Sequence, residues 1–290
     1  MDMRWDDMRE SGNVEDERSS SGFGGGGLRL GIGGVVLAIV VGLLVGKSPM
    51  EILGMVMQFS GHQPVATQRG PIAATDNDQS KRFVAHVLGD TEDTWGKLFQ
   101  ESGEQYRPPK LVLFRNAVQS GCGQASSAVG PFYCPADSKV YLDLGFFDEL
   151  HKRFGAPGDF AAAYVVAHEV GHHVQNLMGI SDKVHRAEQG KSKATANALS
   201  VKLELQADCF AGVWGHYAQA RGLVDRNDME QALTAANAIG DDTLQRNAGR
   251  NVAPDSFTHG SSEQRMHWFR TGFESGRVKD CNTFSRNAAS

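Results

Sequence analysis

The chain is poor in the features that mark several large classes of protein. It has only four cysteines, Cys122, Cys134, Cys209 and Cys281, and no two of them form a C-x-x-C pair. That spacing excludes the usual thiolate zinc sites. No long basic block occurs, and the net charge is -5. Phosphate backbones are held by clustered Lys and Arg, so nucleic acid is not an expected partner. There is no internal repeat, which excludes repeat arrays. What is present suits a globular chain: of 290 residues, 40% are apolar and 22% charged, enough for one good-sized domain with appendages.

One apolar run stands out. Leu30 to Val45 reads LGIGGVVLAIVVGLLV with no charge, closed by Arg29 and Lys47. Adding Leu28 and Gly46, and letting the two flanking cations snorkel, brings residues 28–47 to a usable membrane-spanning length. A buried core helix is disfavoured by the flanks, a glycine-rich tail before the run and Pro49, Pro64 and Pro71 after it. A cleaved signal is disfavoured because the run starts far from the N-terminus and no small-x-small site follows. The expectation is a single-pass anchor in the plasma membrane, with the lipid bilayer as a partner. Arg9, Arg18 and Arg29 precede the run and only Lys47 follows closely. The positive-inside rule then places the N-terminus in the cytoplasm and residues 48–290 on the periplasmic or extracellular side. The expected organisation is a disordered cytoplasmic tail at 1–27, a transmembrane helix at 28–47, a linker at 48–75 and a folded domain at 76–290. Export would permit disulfides. Cys122 with Cys134 closes a short loop and is the first expected pair, with Cys209–Cys281 second.

Within the domain, 80–88 and 93–102 have helical spacing, and 111–114 and 138–144 read as strands. Residues 116–137, rich in glycine and proline, read as loop or irregular edge. Helices are expected at 146–155, 159–179, 192–220, 227–239 and 262–275, the last with Ser261 and Gln264 as a capping box. A few strands followed by helices define an α+β class.

His168-Glu169-Val170-Gly171-His172 lies on the apolar helix at 159–179. Two histidines four apart share one helix face and can grip one cation. Glu169, one residue after the first histidine, can reach a metal-activated water as general base. The plain alternative is two surface histidines on an ordinary helix, which the apolar setting disfavours. A catalytic zinc normally takes three protein ligands. Glu204 and Asp208, also four apart on a helix, offer Glu204 as the third ligand and Asp208 as the acceptor that orients a ligand histidine. His216 or His259 would be next as ligand.

HEVGHHVQN followed by ELQADCFAGVW, behind an N-terminal anchor, resembles the bacterial neutral zinc metallopeptidase family over nearly the whole chain. H-E-x-x-H…E-x-x-x-D is the gluzincin pattern. The resemblance implies His168, His172 and Glu204 as ligands to one Zn2+ per chain, Glu169 as base, and a zincin-like fold with a mixed sheet beside the active-site helix. Phe257 to Arg265 resembles the T-H-P-x-x-x-x-R ending of HtpX-like gluzincins, with Gly260 in place of the proline. His259 or Arg265 could donate to a developing oxyanion, or the stretch could simply cap a helix. His173 points about 100 degrees away from His172 around the helix, and Tyr133 and Tyr141 read as core aromatics, the alternative being that they line a groove for a substrate strand.

The leading reading is a membrane-anchored zinc metalloendopeptidase that binds an extended peptide beside an edge strand. Its rivals are a non-catalytic, metal-stabilised envelope module that binds protein partners, and a zinc hydrolase acting on something other than a peptide. Glu169 separates catalysis from a purely structural site, which needs no base.

Overall fold

A computed structural model describes residues 3–18 and 78–285, apart from 153 and 157. The expected transmembrane helix at 28–47 and linker at 48–75 lie outside the described residues. Among the described residues, no helix is long and apolar enough to cross a membrane.

The fold is mixed α+β. The helices are α1 (Gln79–Glu101), α2 (Gly145–Lys152), α3 (Asp159–Leu177), α4 (Ile180–Glu188), α5 (Lys193–Ala220), α6 (Arg226–Ala238), α7 (Asp241–Asn247) and α8 (Ser262–Ser275). The strands are β1 (Val14–Asp16), β2 (Lys110–Phe114), β3 (Ala117–Ser120), β4 (Gly123–Ser126), β5 (Phe132–Cys134) and β6 (Lys139–Asp143). One sheet has the order β1-β2-β6-β5, with β1 and β6 parallel to β2 and β5 antiparallel to β6. β3 and β4 form a separate hairpin.

The centre is helical. α3 is buried all round from Phe160 to Gly171, which explains its unbroken apolar first half. It packs on α5, whose Phe210 and Trp214 are fully buried. α5 and α8 cross at backbone contact: a Cβ added to Gly272 would lie 1.9 Å from the Cys209 carbonyl oxygen. Only glycine allows that approach. Both expected disulfides, Cys122–Cys134 and Cys209–Cys281, are present.

Three expectations are corrected. The two helical stretches at 80–88 and 93–102 are one helix. The polar residues between them are buried rather than breaking it, because Asp90 accepts from the Trp214 indole (2.8 Å) and Arg221 (2.6 Å). The 116–137 stretch is not loop throughout, since its strands are too short to show a period.

The third correction concerns the N-terminus. Residues 3–17 are not a disordered tail but part of the domain. β1 pairs in parallel with β2, the Leu111 amide donates to the Asn13 carbonyl (2.9 Å), and Glu15 bridges toward Lys110 and Lys139. Met3 and Met8 are buried. The buried Glu92 of α1 accepts from Arg9, Ser11 and Asn13. A Cβ on Gly89 would lie 2.0 Å from the Arg9 carbonyl oxygen, so the segment rests directly on α1. Arg4 reaches across to the Gly222 carbonyl.

Candidate metal centre

Gly171 brings the two functional helices together. A Cβ there would lie 2.9 Å from the Ala207 carbonyl oxygen, so α3 and α5 meet closely at this point. Their facing residues are His168 and His172 on one side and Glu204 and Asp208 on the other. Among the described residues, His168, His172 and Glu204 alone form a group able to hold a metal ion. Nε2 of His168 lies 3.2 Å from Nε2 of His172 and 3.1 Å from Glu204 Oε2. Nε2 of His172 lies 3.4 Å from Glu204 Oε1. Donors at tetrahedral zinc bond lengths stand about 3.3–3.5 Å apart. The spacing and the His2Glu donor set fit zinc.

Asp208 is fully buried and saturated. It accepts from His168 Nδ1–H (2.8 Å), Tyr164 O–H (2.5 Å), and Arg265 through both Nε (2.9 Å) and Nη2 (2.8 Å). With Nδ1–H spent on Asp208, Nε2 of neutral His168 offers its lone pair to the donor cluster. Arg265 also donates to Tyr164 (3.1 Å). Burial opposes the Asp208 charge, but Arg265 and His168 outweigh it and bring its pKa down to about 2. Burial likewise opposes charging His168, yet Asp208 and Glu204 raise it to about 10. Glu204 is held well below its ordinary range by the two histidines against its burial.

Glu169 is buried and lines the same cavity as the three donors, a space of about 550 Å3 bordered by Phe132, Tyr133 and His259. The loop of Thr258, His259 and Gly260 folds round Asp241, whose carboxylate accepts all three amide N–H groups (2.7, 2.7 and 3.1 Å). His259 Nδ1 faces the same carboxylate at 3.3 Å, and its half-exposed ring sits on the cavity wall.

The structure therefore places His168, Glu169, His172, Glu204 and His259 around one space, with Asp208 behind His168. Arg265, one of the two candidate oxyanion donors, borders the same cavity, with its guanidinium forked onto Asp208. The capping reading of Ser261 and Gln264 holds, both bonds of the box being present. His216 is turned away, its Nδ1 donating to the Phe273 carbonyl. Tyr133 is not simply core. Its hydroxyl meets His173 Nδ1 (3.1 Å) and Asn176 (3.0 Å), tying β5 to α3, while His173 Nε2–H donates to the Arg107 carbonyl (2.6 Å). Burial keeps His173 below its ordinary pKa. Tyr164 and Gln175 escaped the sequence reading. The available signal was helical spacing, since Tyr164 stands four before His168 and Gln175 three after His172.

The site is thus an H-E-x-x-H metal centre with an acidic third donor. The family described as "Putative neutral zinc metallopeptidase" matches residues 3–284, and the chain belongs to that family. It is 50% identical over 291 residues to the "Uncharacterized protein YpfJ" of Escherichia coli (strain K12), covering 98% of this chain and 100% of that one. It is 38% identical over 260 residues to the "Uncharacterized protein Mb2605" of Mycobacterium bovis, covering 84% of this chain and 85% of the relative. "Uncharacterized protein Rv2575" of Mycobacterium tuberculosis (strain ATCC 25618 / H37Rv) matches to the same extent. No solved structure matches.

Proposed function

We propose that the chain is a membrane-anchored zinc metalloendopeptidase, holding one Zn2+ through His168, His172 and Glu204, with Glu169 as general base. The observation that carries this reading is the convergence of three donor atoms at zinc spacing in a cavity that Glu169 also lines. Zinc bound there supplies a Lewis acid that polarises a carbonyl and lowers the pKa of water. Glu169 takes the proton from the attacking water and passes it to the amine that leaves. Asp208 keeps His168 in the tautomer whose Nε2 is free.

The substrate is an extended peptide. Among the described residues β5 is the last strand of its sheet, and it borders the cavity, so a peptide can add there as a further strand. His259, held by Asp241, is the candidate donor to the carbonyl oxygen as it gains charge. Two disulfides support an oxidising compartment outside the cytoplasm, and residues 28–47 would provide the anchor.

The test is made on purified full-length protein. Zinc content and cleavage of a mixed peptide library are measured for the wild type and Glu169→Gln. Both should hold one zinc, and cleavage should fall by roughly 10²–10⁴-fold in the variant, the usual weight of a general base. Zinc retained with no cleavage by the wild type would overturn the peptidase reading in favour of a metal-stabilised binding module. Glu204→Ala should lose the metal; full retention refutes its role as ligand.

A further inference from the structure

His168 owes its orientation to Asp208. Among the described residues, no carboxylate bonds Nδ1 of His172, which instead lies 2.9 Å from Oε1 of Gln175. Gln175 is fully buried. Its Nε2 donates to the Leu203 carbonyl (2.7 Å) and to Oε1 of Gln206 (3.1 Å). Gln206 is also buried, and its Nε2 donates to the Cys281 carbonyl (2.9 Å).

The direction of this chain follows from its ends. Backbone carbonyls only accept, so the Leu203 and Cys281 carbonyls each require an NH2 group facing them. That fixes both amides against a flip. With both protons of the Gln175 NH2 used, its oxygen is the atom left for His172, and it accepts the Nδ1–H. The lone pair of His172 is thereby assigned to Nε2, which points at Glu204 and His168. The far end is held too. Cys281 is bonded to Cys209 on α5, the helix that carries Glu204 and Gln206.

We propose that Gln175 and Gln206 are positioning residues for His172: a relay of two buried amides, anchored on the Cys281 carbonyl, that fixes the ring and tautomer of one metal ligand. This rests on His172 being a ligand, as argued above. The two histidines then differ in kind. His168 is backed by a charged group that strengthens it as a donor, and His172 by a neutral one that orients it without adding charge to the crowded acidic side of the site.

Zinc affinity, measured by competition with a chromogenic chelator on the full chain, provides the test. Gln175→Leu should weaken binding about 10–100-fold, as lost partners of a ligand histidine do, and Gln206→Leu by about 10-fold. The double variant should bind no worse than Gln175→Leu alone, because Gln206 acts only through Gln175. Val174→Ala, a buried core change next to Gln175 in sequence that removes none of the side-chain hydrogen bonds of the relay, should lower the melting temperature and leave zinc affinity in place. Wild type that binds zinc together with unchanged affinity in Gln175→Leu overturns the relay and leaves the metal site standing. Independent, additive losses in the double variant, or an equal loss in Val174→Ala, overturn it as well. Wild type that binds no zinc overturns both readings. Should Gln175→Leu fail to fold, Gln206→Leu with its expected loss decides alone.

Discussion

Asp208 and Arg265 share the deepest charges of the site, and their coupling decides what each is worth. A buried pair with every hydrogen bond made is neutralised locally, and removing one partner strands the other. Asp208→Asn should therefore cost about 3–5 kcal/mol in urea unfolding through the unpaired Arg265, and should lower zinc affinity as well. An unchanged midpoint would show that Arg265 has another acceptor. The titration of His168 makes a second prediction. Its folded pKa of about 10 lies above the unfolded value near 6.5. In metal-free protein that difference stabilises the fold fully below about pH 6.5, and the stabilisation is lost as pH rises through about 10. Zinc competes for the nitrogen that the proton occupies, so its affinity should move the opposite way and rise with pH. Loading at pH 7 should release protons, seen as calorimetric heats that vary with the ionisation enthalpy of the buffer. Heats independent of buffer would sink this assignment.

At the scale of elements, two contacts shape the site from outside. Gly171 lets α3 approach α5 until the histidine face meets Glu204 and Asp208, and the α5–α8 crossing at Gly272 brings Arg265 onto Asp208. The N-terminal strand supports the other side of the fold by closing the β2 edge and covering α1. Deleting residues 1–17 exposes the surface under Met3 and Met8, each worth roughly 1.5–3 kcal/mol when buried. It also leaves Glu92 without Arg9, Ser11 and Asn13. The truncated protein should be less stable by roughly 3–6 kcal/mol from the methionines alone, read from the shift in denaturation midpoint. A domain starting at residue 76 with wild-type stability would contradict this packing.

For the whole molecule, the parallel pairing of β1 with β2 constrains topology. The chain leaves the domain after residue 17 and rejoins it by residue 78. If residues 28–47 are held by a bilayer, both flanks enter and leave on one face, against the positive-inside expectation. Epitope tags at the N- and C-termini should then become protease-accessible together in sealed, oriented membrane vesicles. Tags protected on opposite faces would mean that β1 does not occupy its edge in the membrane-bound protein.

Much of the site was legible because helices write their contacts at short spacing. His168 with His172, Glu204 with Asp208, and Ser261 with Gln264 each lie within one turn, and turn geometry puts such residues on one face whatever the rest of the chain does. The same locality explains the helix bounds and the strands at Leu111 to Phe114 and Val140 to Leu142. The Tyr164–Asp208–Arg265 cluster joins three helices, the two-glutamine relay ends 106 positions beyond Gln175 in sequence, and β1 pairs with a strand nearly a hundred residues on. No period or motif encodes such meetings. They arise when Gly171 and Gly272 let backbones touch, and when burial forces each polar group to find a partner. By itself, then, the sequence determined which residues could hold a metal and activate water. Tertiary packing alone decided how each ligand is oriented, that Arg265 serves Asp208, and that the N-terminus belongs to the domain, because those depend on surfaces that exist only once distant helices and strands have closed on one another.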